Sequence, residues 1–233
     1  MKVRFRFSKL GKVRFTSHRD LARMWERAFR RVALPLAYTQ GFSPRPKVSF
    51  GLALPTGAES VAEYLDVELA PGTTADVAAL PGRLSPVLPT GIDVLAGATL
   101  DVGAVSLQHE VTSCSWLVET AGLSPDELRE RVAAALAAGT LVIDRERKGQ
   151  RSLQDVRPGI VACHVDGTTL CAELATQPRA LRPSELLVAL GDGIEQVRVR
   201  RTSQWIQRDG ARQEPIRLPA DATDAPHVVR RAS

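Results

Sequence analysis

Residues 1–32 read MKVRFRFSKLGKVRFTSHRDLARMWERAFRRV. Val3, Phe5 and Phe7 alternate with Lys2, Arg4, Arg6 and Ser8. Period two belongs to a strand, whose successive side chains point to opposite faces. The pattern predicts a strand with one buried face and one basic face. Leu10, Gly11 and Lys12 read as a turn, and Val13 and Phe15 as a short returning strand. Thr16, Ser17 and His18 then open a helix, with Ser17 as a good N-cap and Asp20 suited to the positive helix end. Leu21, Met24, Trp25, Ala28 and Val32 share one face at helical spacing. Arg19, Arg23, Arg27 and Arg30 form a second stripe. The helix is therefore expected to bury an apolar face and to present an arginine ridge to solvent or a partner.

The same reading extends outward. Residues 34–38 read as a strand, and residues 40–47 as a loop stiffened by Pro44 and Pro46. Residues 48–54 and 63–69 read as strands, residues 73–88 as a helical pattern broken by Pro81 and Gly82, and Ile92, Val94 and Leu95 as the start of a last strand. The order β-α-β-β-α-β is the split-βαβ, ferredoxin-like arrangement. The second half repeats it. Residues 109–120 are strand-like, and Ser124, Pro125 and Glu127 mark a helix start. A strand follows at 141–147, a hairpin about Asp166 and Gly167, a helix from Pro183 to Gly191, and a strand at 197–202. From 206 onward the chain is polar and proline-bearing, which predicts disorder. The expected fold class is α+β: two ferredoxin-like (split βαβ) halves with antiparallel sheets, at 1–104 and 105–205, and a disordered C-terminal tail at 206–233.

The chain has 233 residues, 44% hydrophobic and 24% charged, ordinary values for a globular protein. Its apolar runs fall far short of the roughly 20 residues a membrane helix needs. The N-terminus alternates charged and apolar residues and has no continuous apolar core, so it does not read as a secretory signal. The expected location is cytoplasmic, with no membrane partner. Cys114, Cys163 and Cys171 make no CxxC and no CxxxCxxC, so no metal and no cofactor is expected on this chain. Cys163 and Cys171 read as buried thiols on a hairpin rather than a disulfide. Phosphate-loop, dinucleotide-binding, HExxH and GxSxG motifs are missing from the sequence.

Charge is unevenly spread. Residues 1–50 hold 13 Lys and Arg against Asp20 and Glu26, a net of +11; the remainder holds 18 against 24 acids, a net of −6. Such asymmetry marks the first fifth as the anion-facing end. The candidate RNA-binding residues are Lys2, Arg4, Arg6, Arg19, Arg23, Arg27 and Arg30, joined by Tyr38 and by Phe42, Ser43, Arg45 and Lys47 from the proline-stiffened loop. Alternating bases on the strand and the helix ridge would line a phosphate track. Phe42 beside Arg45 and Lys47 would offer a stacking platform for an unpaired base. The alternatives are a dock for an acidic protein and a plain solvated face. His18, at a helix start, reads either as a helix buttress or as a neutral base for metal-free RNA cleavage. Glu59, Glu63, Asp66 and Glu68 read as ordinary surface acids, with pairing to the basic face or binding of a cation as the alternatives.

Three segments carry a resemblance: FTSHRDL at 15–21, RRVALPLAYTQGFSPRPK at 30–47 and PTGAES at 55–60, with RPSELL at 182–187 fitting a late helix. Together they resemble the uncharacterised radical SAM-linked proteins, encoded beside or fused to a radical SAM enzyme. That resemblance implies a partner, a radical SAM enzyme encoded nearby, rather than a reaction. More distantly, the first half is similar to the repeat-processing RNA endonucleases of CRISPR systems, which are built of two ferredoxin-like halves. This chain departs from them in lacking a Gly-rich loop near its C-terminus. The expected function is a non-catalytic partner of a radical SAM enzyme that presents or recognises tRNA or rRNA, with no DNA role. The alternatives are a metal-independent RNA endonuclease using His18 and a protein-only docking factor.

Overall fold

A computed structural model describes residues 1–101, 103–147, 150–208 and 210–216. The chain divides into two units. The first holds Met1–Glu110 and the segment from Glu214, and the second holds Val111–Gln213. The chain is α+β, and its strands pair antiparallel throughout the ladders described below.

In the first unit β1 (Lys2–Lys9) leads through a 3₁₀ turn (Gly11–Phe15) to α1 (His18–Arg31). β2 (Val48–Phe50), β3 (Glu59–Glu68), α2 (Leu80–Leu84), β4 (Val94–Leu100) and α3 (Leu107–Glu110) follow. β4, β1 and β3 lie side by side in that order, and β2 pairs with β3. The Ser17 hydroxyl accepts the Asp20 N–H and caps α1. Leu21, Trp25, Ala28 and Phe29 of α1 are buried against Val3, Phe5 and Phe7 of β1. Trp25 is the hub: its ring lies 5.0 Å from Phe7, edge-on, and 5.3 Å from Phe29. Edge-on aromatic pairs gain from their quadrupoles beyond the area they bury.

The second unit opens on β5 (Val111–Ala121) and α4 (Pro125–Ala137). Ser124 and Glu127 form the expected capping box there. β6 (Val142–Arg147) and β7 (Gln150–Asp155) pair only with each other. β8 (Ile160–Asp166), β9 (Thr169–Ala175), α5 (Pro183–Leu190), β10 (Glu195–Arg208) and β11 (Ala211–Gln213) complete the unit. β10, β5, β9 and β8 lie side by side in that order. With the β6–β7 pair set aside, both units therefore place their main strands as fourth, first, third, second.

Several expectations change. Residues 13–15 belong to the 3₁₀ turn, because Gly11 at φ +65° reverses the chain before a second strand can form. Residues 34–38 make isolated bridges, Leu36 to Leu69 and Tyr38 to Pro46, rather than a strand. Proline has no N–H for a ladder, which keeps the latter to a single bridge. β2 stops at Phe50, and the pattern at 73–88 condenses to α2 and a 3₁₀ turn at Ser85–Val87. β10 and β11 carry ordered strand past 206, where the sequence suggests a tail; residues 217–233 lie outside the described residues. In the β8–β9 ladder Cys171 stands opposite His164 and Cys163 opposite Ala172. Adjacent rungs project to opposite faces, so the two thiols do not meet. All three cysteines are free, and burial pushes the Cys163 thiol up to about 11.

Candidate functional site

The arginines of β1 and those of α1 meet opposite fates. Every residue of β1 after Lys2 is buried. Arg4 is 1% exposed and holds Asp66 in a bidentate pair, Nε to Oδ1 at 2.7 Å and Nη2 to Oδ2 at 3.0 Å. Its Nη1 reaches Glu110 at 3.4 Å, and Lys2 approaches Asp66 at 3.4 Å. The cause is register. Arg4 stands directly opposite Asp66 in the β1–β3 ladder, close enough for cross-strand charges to pair. Arg6 donates from Nη1 to Glu214 at 2.6 Å and from Nε to the Val61 carbonyl at 3.1 Å, with its guanidinium 5.9 Å from the Tyr64 ring. Arg4 and Arg6 thus occupy buried ion pairs. The expected open basic strand face is corrected accordingly: buried guanidinium groups persist only when paired, and Asp66 of β3 and Glu214 supply the carboxylates.

Three of the four acids of β3 are correspondingly not surface groups. Glu59 is wholly buried and accepts the Gly11 N–H at 2.9 Å, with Arg14 at 3.5 Å. Glu63 and Asp66 are buried as well, and only Glu68 is open, paired with Lys47 at 3.0 Å. Lys9 is buried beside them and donates to the Thr16 carbonyl at 3.1 Å. Burial lowers its pKa, and the Glu63 carboxylate acts in the opposite sense. Among the described residues no cluster of three His, Cys, Asp or Glu is placed to hold a metal ion.

α1 keeps its ridge. Arg19, Arg23, Arg27 and Arg30 are all exposed. Arg23 pairs with Asp20 at 3.5 Å, both half in solvent. Among the described residues Arg19, Arg27 and Arg30 make no ion pair, although Glu26 falls on the same side of the helix. Exposed pairs contribute little, so nearly the full charge of the ridge faces outward.

The loop at 39–47 carries the aromatic candidate. Thr39 holds its base: its N–H reaches the Arg45 carbonyl and its hydroxyl accepts the Arg45 N–H at 3.0 Å. Gly41 takes φ +127°, and Phe42 beside it stands fully in solvent, with Tyr38 53% exposed. Ser43 and Arg45 are exposed too. His18 turns its ring edge-on to Phe50 at 4.9 Å. Among the described residues its imidazole makes no hydrogen bond. One feature escaped the sequence pattern: Phe15 is 61% exposed, with the Arg14 guanidinium 4.6 Å from its ring centroid. Gly11 followed by a basic run was its only signal.

No helix among the described residues is long and apolar enough to cross a membrane. A family model matches residues 2–184, a span that includes the ridge, the aromatic loop and the buried ion pairs; its description is "Uncharacterized protein conserved in bacteria (DUF2344)". No curated protein matches the chain.

Proposed function

The chain belongs to this uncharacterised bacterial family, DUF2344, and we propose that it is a non-catalytic partner of a radical SAM enzyme that holds an RNA substrate on its first unit. One observation carries the RNA reading: α1 exposes four arginines in a single stripe, and three of them make no ion pair among the described residues. A stripe of this kind follows a phosphate backbone, and each phosphate neutralised releases counterions. Fully exposed Phe42 lies three residues from exposed Arg45. That pair suits an unpaired base, stacked on the ring while the cation takes the adjoining phosphate. The footprint is narrower than the sequence suggests, because Arg4 and Arg6 are committed to internal carboxylates.

The partner half of the proposal rests on the resemblance of residues 15–60 to radical SAM-linked proteins. It fits a chain whose three cysteines have no cluster spacing. The shared strand order of the two units supports reading each as a ferredoxin-like half, with the β6–β7 pair as an insertion in the second. The edge-on contact of His18 with Phe50 favours a buttressing role over catalysis.

The test is binding to bulk tRNA and rRNA fragments across a salt series, with wild type beside Arg19→Ala/Arg23→Ala/Arg27→Ala. Three lost phosphate contacts should flatten the log–log salt slope by about 2–3. Wild-type binding no stronger than that of a neutral control protein at low salt would overturn the reading.

A further inference from the structure

One flank of α1 does something the ridge alone does not. At 100° per residue, Met24, Arg27 and Arg31 fall within a sector of about 60° on the helix. Opposite them runs the segment that follows α2. Between the two lies a groove of about 630 Å³, within the size range of small-ligand pockets. Met24, Val87 and Leu88 supply its apolar lining, and Arg27, Arg30 and Arg31 stand at its rim.

The walls are fixed in place. Arg83 Nη2 donates to the Val32 carbonyl at 2.6 Å and so ties the end of α1 to α2. Arg31 Nη1 reaches the Val87 carbonyl at 3.5 Å. The Ser85 hydroxyl donates to the Pro81 carbonyl at 2.9 Å and accepts the Val94 N–H at 2.9 Å. Pro86 and Pro89, also lining the groove, stiffen the segment between these ties. An occupant would therefore not have to order the backbone walls of the groove.

Charge and lining together select the occupant. Three arginines and no acid line the groove, and among the described residues none of the three makes an ion pair. Arg30 and Arg31 also suit the negative end of the α1 dipole, but that explains neither the apolar floor nor Arg27. A nucleic acid would use the arginines yet find no aromatic ring on the floor to stack against. Aliphatic side chains flanked by carboxylates satisfy both features.

We propose that this groove docks an acidic segment of a partner protein, anchored by a buried aliphatic or aromatic side chain and held by carboxylates on Arg27, Arg30 and Arg31. The site shares Arg27 and Arg30 with the RNA ridge, but it stands on the apolar groove beside them rather than on RNA binding.

The experiment is fluorescence anisotropy on the full chain with three labelled probes: the peptide Glu-Asp-Leu-Glu-Asp-Leu-Phe, a peptide with its apolar positions changed to Gly, and an oligouridylate. The apolar-anchored peptide should bind at least tenfold more tightly than its glycine counterpart. Val87→Asp should weaken it tenfold or more, as should Arg30→Glu, an exposed residue whose change leaves the core intact. Arg19→Ala/Arg23→Ala should leave peptide binding within twofold while lowering oligouridylate binding. Thermal melts of each variant separate lost docking from lost fold. Equal binding of the two peptides would overturn the proposal, because charge alone would then suffice. So would a Val87→Asp effect confined to oligouridylate, which would assign the groove to RNA. No peptide binding at low salt would overturn it outright while leaving the RNA reading to its own test.

Discussion

Asp66→Asn is the sharpest test of the division between buried and exposed arginines. The substitution keeps the side-chain shape, so it opens no cavity, and it removes the charge opposite Arg4. Arg4 is 1% exposed and Asp66 5%, so solvent does not replace what is lost. Breaking a buried pair by removing one partner typically costs 3–5 kcal/mol. Here the amide oxygen still accepts one hydrogen bond and Glu110 remains 3.4 Å from Nη1, which sets the loss near the low end, about 3 kcal/mol. At about 2–4 °C per kcal/mol for a chain of this size, the melting temperature should fall by roughly 6–12 °C. Arg4→Met/Asp66→Leu should recover most of that loss, because apolar replacement of a whole buried pair is often neutral or stabilising. Calorimetry reads both variants, and RNA binding by the double variant should equal wild type. A melting temperature for Asp66→Asn within about 2 °C of wild type would refute the structural role. A folded double variant that loses RNA affinity as the ridge variant does would refute the claim that Arg4 is withdrawn from the binding surface.

Other outcomes follow from the same geometry. Phe42→Ala should change stability by less than about 0.5 kcal/mol, since the ring touches mainly solvent, yet cost about 1–3 kcal/mol of single-stranded RNA binding if a base stacks there. Trp25→Ala removes the hub of the first unit's core and should cost about 3–5 kcal/mol by urea denaturation. Burial raises the Tyr64 phenol above its ordinary 10.0. Above pH 10 the unfolded chain therefore loses that proton while the folded chain keeps it, and stability falls as pH rises. Tyr64→Phe should reduce the fall in urea midpoint between pH 9 and pH 11. It should cost little at pH 7, because the buried hydroxyl has no hydrogen-bond partner among the described residues. Ser124→Ala should cost about 0.5–2 kcal/mol through loss of the α4 cap, read as a melting shift.

What was legible in the sequence was local. Ser17 and Asp20, and Ser124 with Glu127, announce their helices through caps completed within four residues. The alternation of β1 names its core side, and the ridge of α1 follows from spacing alone. What was not legible depends on register between distant segments. Whether Arg4 faces water or Asp66 is decided 62 residues away, and no pattern within residues 1–9 contains that information. The same holds for Glu59, a surface acid by composition that closes over the Gly11 amide. The exposure of Phe15 turns on a single glycine in the left-handed region, which a period-two reading passes over.

The matching strand order of the two units has a consequence for how such a chain can vary. In each unit the run from the first helix to the second strand carries the extra material: the loop bearing Phe42 between α1 and β2, and the β6–β7 ribbon between α4 and β8. The link from β8 to β9 is by contrast a two-residue turn. The same seam has been let out twice, once as an aromatic finger and once as a paired strap. That seam is where added length disturbs no ladder, so it is the natural place to graft a tag or exchange a recognition element while the rest of each unit holds its pattern.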